Sequence, residues 1–207
     1  RALWEDFVRH PTPRFDNAID ADFPDMLRAA TGFATPRGVA IRESRYDHPI
    51  QNNIRELRIV FSQPAVAVRA LHWRHGKTAK TAAVVLHGLA STADKVLGFD
   101  KPDYMQFLGG HLFNAGGDVL AFDMPSDPVL AAAMNSRLTW HGVTVEGLWT
   151  RAVCEAIDRL ELRKRYARVV IYGVREGGRI ADLASVLCAP VSLVVIDGAV
   201  LDRRRAI

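Results

Sequence analysis

Apolar and polar positions change rhythm along this chain of 207 residues. Residues 39–46 and 54–61 mix β-branched and aromatic side chains with charged ones and predict two strands. Residues 65–73 alternate as a half-buried strand, and Gly76-Lys77 then turns the chain. The run Thr81-Ala82-Ala83-Val84-Val85-Leu86 is apolar on both faces, as are residues 118–122 and 169–172. Runs of that kind belong inside a parallel sheet covered by helices on both sides. Between them the period lengthens. Val145, Leu148, Trp149, Ala152, Val153, Ala156, Ile157 and Leu160 recur at helical spacing, so residues 145–162 predict an amphipathic helix. Thr144 is placed to cap it, with Glu146 in its first turn. Residues 101–114, closed by Gly116-Gly117, and residues 178–187 predict two more helices. Residues 192–196 predict the last strand. Pro125, Pro128 and the alanines after them read as a long loop.

The first 37 residues are punctuated by prolines and predict a helical arm. Its two short helices fall at 3–8 and 23–30, the second capped by Asp20 or Asp22 and ended by Gly32. Residues 38–207 then form one α/β domain. An antiparallel start followed by alternating strands and helices predicts an open, mixed, mostly parallel sheet with helices on both faces.

Composition narrows the function classes. Hydrophobic residues make up 49% and charged residues 24%, which is ordinary for a globular domain. No apolar run reaches the ~18 residues of a membrane span, so no membrane partner is expected. The net charge is +4. The positive residues are scattered over 1–80 and 159–179, with a short run at Arg203-Arg204-Arg205, and aromatics are not interleaved with them. Nucleic acid is therefore not an expected partner. Cys154 and Cys188 lack C-x-x-C spacing and are expected to be free buried thiols. No cluster has metal-ligand spacing, and no Walker loop or complete G-x-G-x-x-G occurs, so neither a metal nor a cofactor is expected. The chain starts with Arg and shows no signal-peptide pattern, which leaves the compartment open with a slight tilt toward the cytoplasm.

The most informative stretch is Arg168–Ala181, Arg-Val-Val-Ile-Tyr-Gly-Val-Arg-Glu-Gly-Gly-Arg-Ile-Ala. An apolar strand runs into a glycine-flanked turn, and a helix starts at once. This is the frame of a nucleophile elbow, G-x-S-x-G, spelled Gly173-Val174-Arg175-Glu176-Gly177. Arg175 stands where serine would project its hydroxyl. Leu86-His87-Gly88 follows the first fully buried strand, Phe122-Asp123 closes the next, and Asp197-Gly198 closes the last.

In this order and spacing, residues 39–200 resemble the α/β-hydrolase superfamily, in its esterase or dienelactone-hydrolase-like branches. The resemblance implies that His87-Gly88-Leu89 forms an oxyanion-type loop, that the backbone N–H groups of Leu89 and Glu176 converge on one void, and that Asp197 stands at an acid position. It also implies a serine nucleophile, two further strands and a histidine after the last strand. This chain has Arg175 at the nucleophile position, and no histidine follows His141. Triad chemistry in family order is therefore not expected from these residues alone.

Each remaining candidate has an ordinary structural role to set against a chemical one. His87 is expected to organise its loop, and Asp123 to tie down the loop after it. Ser91 and Ser126 stand at the right end of the sheet but outside the elbow. His87 and His111 are the alternative bases. Three readings follow: a silent hydrolase scaffold used for binding or structure; a carboxylic ester hydrolase with its nucleophile substituted and its histidine elsewhere; and a small-anion site at Arg175, beside a helix N-terminus. A small acyl or anionic ligand fits any of them. The apolar strand at 191–196 is last in the chain, and an open apolar edge invites a second copy or a partner chain.

Overall fold

The computed structural model describes residues 23–48, 51, 53–75, 79–188 and 190–198. The helix expected at 3–8, the caps Asp20 and Asp22 and the turn at Gly76-Lys77 lie outside these residues. Among those described, seven strands form one sheet: β1 (Ala40–Arg45), β2 (Ile54–Ser62), β3 (Ala65–Trp73), β4 (Thr81–Leu86), β5 (Asp118–Phe122), β6 (Arg168–Val174) and β7 (Leu193–Asp197). Their order across the sheet is β1-β2-β3-β5-β4-β6-β7. The first four in that order run antiparallel, with Ala70 opposite Phe122 where β3 meets β5. From β5 to β7 the strands are parallel. The chain thus has the mixed, mostly parallel architecture expected, an α/β-hydrolase fold.

The doubly apolar runs explain the layering. On β4, Ala82, Val84 and Leu86 join one core, while Ala83 and Val85 join the other. On β5, Leu120 and Phe122 face the first, and Val119 and Ala121 the second. The first core is closed by α5 (Val145–Arg159), through Leu148, Trp149, Ala152, Val153, Ala156 and Ile157, and by α7 (Glu176–Leu187), through Ile180, Ala181 and Ala184. The second is closed by α2 (Ala93–Leu97) and α3 (Leu108–Asn114). Helix α1 (Phe23–Thr31) lies against α5 and α7 and ends at Gly32, whose φ of 64° only glycine adopts freely. Thr144 caps α5 by accepting from the Gly147 N–H at 2.9 Å.

Four expectations are corrected. Residues 101–114 are not one helix: Gln106 and Phe107 take positive φ, and only Leu108–Asn114 is helical. The segment read as a long loop contains α4 (Pro128–Thr139). Asp127 accepts hydrogen bonds from the Val129 and Leu130 N–H groups, and Pro128 stands in the first turn, where its missing N–H costs nothing. Cys154 and Cys188 are not free thiols but a disulfide, with Cα atoms 5.1 Å apart. Packing of α5 beside α7 on one face of the sheet brings together residues separated by 34 positions. The helix expected at 145–162 ends at Arg159, and a short α6 (Leu162–Arg165) follows.

Candidate functional site

The parallel strands β4, β5, β6 and β7 all end at one edge of the sheet, in Leu86, Phe122, Val174 and Asp197. That edge is where open α/β sheets place their ligands. It gathers His87-Gly88-Leu89, Asp123, Arg175 and Asp197.

The elbow is a steric necessity of its glycines. A Cβ on Gly173 would lie 2.5 Å from the Gly177 carbonyl oxygen and 2.7 Å from the Ala181 Cβ. One on Gly177 would lie 2.3 Å from the Leu86 carbonyl oxygen. Their absence lets α7 start directly over the ends of β6 and β4. The residue between them absorbs the reversal: Arg175 has φ 52° and ψ −119°. A side chain other than glycine held there costs about 1–3 kcal/mol and persists only where the surroundings over-determine it. Two backbone bonds do so. The Arg175 N–H donates to the Asp197 carbonyl, and the Gly178 N–H donates to the Arg175 carbonyl, each at 2.9 Å.

From that position Arg175 turns onto Tyr104, with the guanidinium carbon 4.1 Å from the ring centroid. Burial raises the Tyr104 hydroxyl above its ordinary range, against the pull of the Gly88 N–H that it accepts. The Leu89 N–H donates to Glu176 Oε2 at 2.9 Å. Gly88 is again a matter of space, since a Cβ there would lie 2.2 Å from that oxygen and 2.8 Å from the Arg175 Cβ.

Beneath this corner His87 is fully buried. Its Nε2 accepts from the Met124 N–H at 3.1 Å, which leaves the proton on Nδ1, 2.6 Å from the Gly88 carbonyl. Both ring nitrogens are therefore spent on backbone. Asp123 accepts from the Ala93 N–H at 2.7 Å and from Arg69. Burial alone would raise its carboxyl; the Ala93 amide and the Arg69 guanidinium outweigh burial and hold it well below the usual carboxylate range. Arg69 also reaches Asp94 Oδ2 at 2.9 Å and Glu56 Oε2 at 3.2 Å, and Tyr46 donates its hydroxyl to Asp94. Burial and then the Asp94 hydrogen bond push Tyr46 up to about 12. One guanidinium among three carboxylates thus pins the loop that carries Leu89.

The other candidates fall elsewhere. Ser91 is fully buried, and its hydroxyl has no partner among the described residues. Ser126 uses its carbonyl to hold the Ala90 N–H at 2.7 Å. His141 lines a cleft of about 970 Å³ with Arg37, Pro64, Met134 and Leu138, and His111 lines a smaller one of about 310 Å³. Neither cleft is lined by an elbow residue. Glu146 stands 3.9 Å from Arg179 of α7. Among the described residues no group of His, Cys, Asp and Glu could hold a metal ion. Sequence reasoning missed Tyr104 and the Arg69 cluster. The one signal was a charged residue between Val68 and Ala70 in a strand bound for the core; Tyr104, in irregular chain, offered none.

The strand order and the tight strand-to-helix turn at Arg175 are those of an α/β-hydrolase fold, and solved structures agree. An acetyl xylan esterase from Paenibacillus sp. R4 superposes with TM-score 0.51 over 91% of this chain and 62% of its own, at 15% identity. A cold-adapted esterase from an Arctic intertidal metagenomic library, in a zinc-bound structure, gives TM-score 0.52 over 75% of this chain and 63% of its own, at 13% identity. This chain therefore spans less than two thirds of the length of either. No family model matches the sequence, and no curated protein matches it.

Proposed function

We propose that this chain is an α/β-hydrolase-fold protein without triad catalysis, acting in binding or structure. The observation that carries the reading is the side chain at the elbow. A guanidinium is a donor only and stays protonated, so it offers no nucleophile to an acyl carbon. It is also engaged with the Tyr104 ring rather than with a general base. The buried imidazole of the oxyanion-type loop itself, His87, is consumed by backbone hydrogen bonds.

A second reading is favoured by the intact elbow geometry and by the esterase character of the structural neighbours. In it, the scaffold is that of a serine-type carboxylic ester hydrolase with the nucleophile replaced and the histidine supplied from sequence outside these residues.

One experiment tests the silent reading. The chain is offered short aryl esters and a fluorophosphonate probe, alongside an Arg175→Ser variant. A serine hydroxyl needs a positioned base to become nucleophilic. The expected result is no labelling of the wild type, and only slow, unsaturable turnover without an acyl-enzyme burst in the variant. A stoichiometric burst in Arg175→Ser would reveal a working base and overturn the silent reading.

A further inference from the structure

We infer that Glu176 is a built-in stopper of the oxyanion-type corner, holding it closed to carboxylate-sized anions. The inference rests on reading the elbow as such a corner; its test does not depend on whether the chain turns over esters.

Glu176 is the first residue of α7, where the unpaired N–H groups and positive dipole end of a helix favour negative charge. Its carboxylate does not point out along the helix. It reaches across to β4's following loop and takes the Leu89 N–H at 2.9 Å. A bond of this type to an ionised acceptor is about twice as strong as a neutral one. The neighbouring amide is also spoken for, since the Gly88 N–H donates to the Tyr104 hydroxyl at 2.8 Å. The cation that would otherwise attract an anion is drawn onto the Tyr104 ring, which itself holds Gly88. Gly88 leaves the space that the carboxylate fills: any larger residue would meet Glu176 Oε2 at 2.2 Å. The two loop donors that could receive an external anion, the Gly88 and Leu89 N–H groups, thus each already have an internal acceptor.

An acceptor tethered within the same chain competes at an effective concentration of millimolar or more, so a weak external carboxylate does not displace it. The Glu176 and Arg175 side chains are exposed, so removing the carboxylate opens no buried cavity and leaves the backbone donors standing.

The test follows the Leu89 amide by NMR. In the unaltered chain this amide exchanges slowly with solvent, and acetate produces no saturable shift. In Glu176→Ala it exchanges freely and titrates with acetate, which binds at least about tenfold more tightly than to the unaltered chain. Glu176→Gln keeps a side-chain oxygen for the Leu89 N–H but loses the charge, and it stays closed. Three results overturn the inference: a Leu89 amide that is unprotected in the unaltered chain, a folded Glu176→Ala that still ignores acetate, or a Glu176→Gln that opens as far as Glu176→Ala. The last would mean that charge repulsion, not occupancy, excludes the anion.

Discussion

His72 illustrates how a single side chain records the fold. It sits on β3 opposite Leu120 and is 4% exposed. Burial, helped by the positive charge of Arg74 and opposed by Asp118, pushes its imidazole down from 6.5 to about 4. The folded state therefore holds His72 neutral where the unfolded chain would protonate it. Its contribution is complete above pH 6.5 and is lost as pH falls through the window down to about 4. The change across that window is about 3 kcal/mol. Urea unfolding followed from pH 7 to 4 should show this loss, and His72→Phe should flatten that part of the profile. An unchanged profile in the variant would assign the acid sensitivity to other groups. Arg175 makes a different point at the same scale. The strained backbone there is held by its backbone bonds to Asp197 and Gly178, which do not involve the side chain at the tip of the turn.

Between elements, the bridge from Cys154 in α5 to Cys188 at the end of α7 ties together the two helices that close the larger core. Leu187 of α7 and Phe33, just after α1, pack beside it. Closing a loop of 34 residues restricts the unfolded chain by about 3–4 kcal/mol in the chain-entropy account. A Cys154→Ser/Cys188→Ser variant should lose stability of that order in denaturant melts. Its elbow should remain intact, because Gly173 and Gly177 set the crossing of α7 over the sheet independently of the bridge. A variant as stable under oxidising conditions as the parent would show that the two thiols are not joined in solution.

At the scale of the whole molecule, β7 is the outermost strand on the parallel side among the described residues. Leu193, Val194, Val195 and Ile196 are only half-buried there. We propose that this edge is covered in solution, by a second copy or by a partner chain, since an apolar edge with unpaired N–H and C=O groups recruits another strand. Light scattering should report a species larger than the monomer, and amide exchange through 193–197 should be slow. A monodisperse monomer at tens of micromolar, with fast exchange in β7, would leave the edge bare and remove the proposal.

Periodicity in the sequence determined the sheet. Strands β4 and β5 have the bounds that their apolar runs predict, because a strand buried on both faces admits almost no polar residue and so marks its own ends. The elbow frame was legible for a related reason: two backbones can cross at Gly173 and Gly177 only without side chains, a local requirement written in two letters. Helix α4 was obscured because it is mostly exposed and its alanines carry no amphipathic stripe, although Asp127-Pro128 and the alanine run held a start signal and strong helix propensity. Tertiary structure alone decided the rest. Cys154 and Cys188 meet because two helices share a face of the sheet, and Arg69 meets Asp94 and Asp123 because β3 pairs with β5 and α2 starts against both strands. Glu176 turns its carboxylate to Leu89, 87 positions away in the chain, because β4 and β6 lie side by side. Contacts of that range depend on where whole elements dock, and no short window of sequence contains both partners.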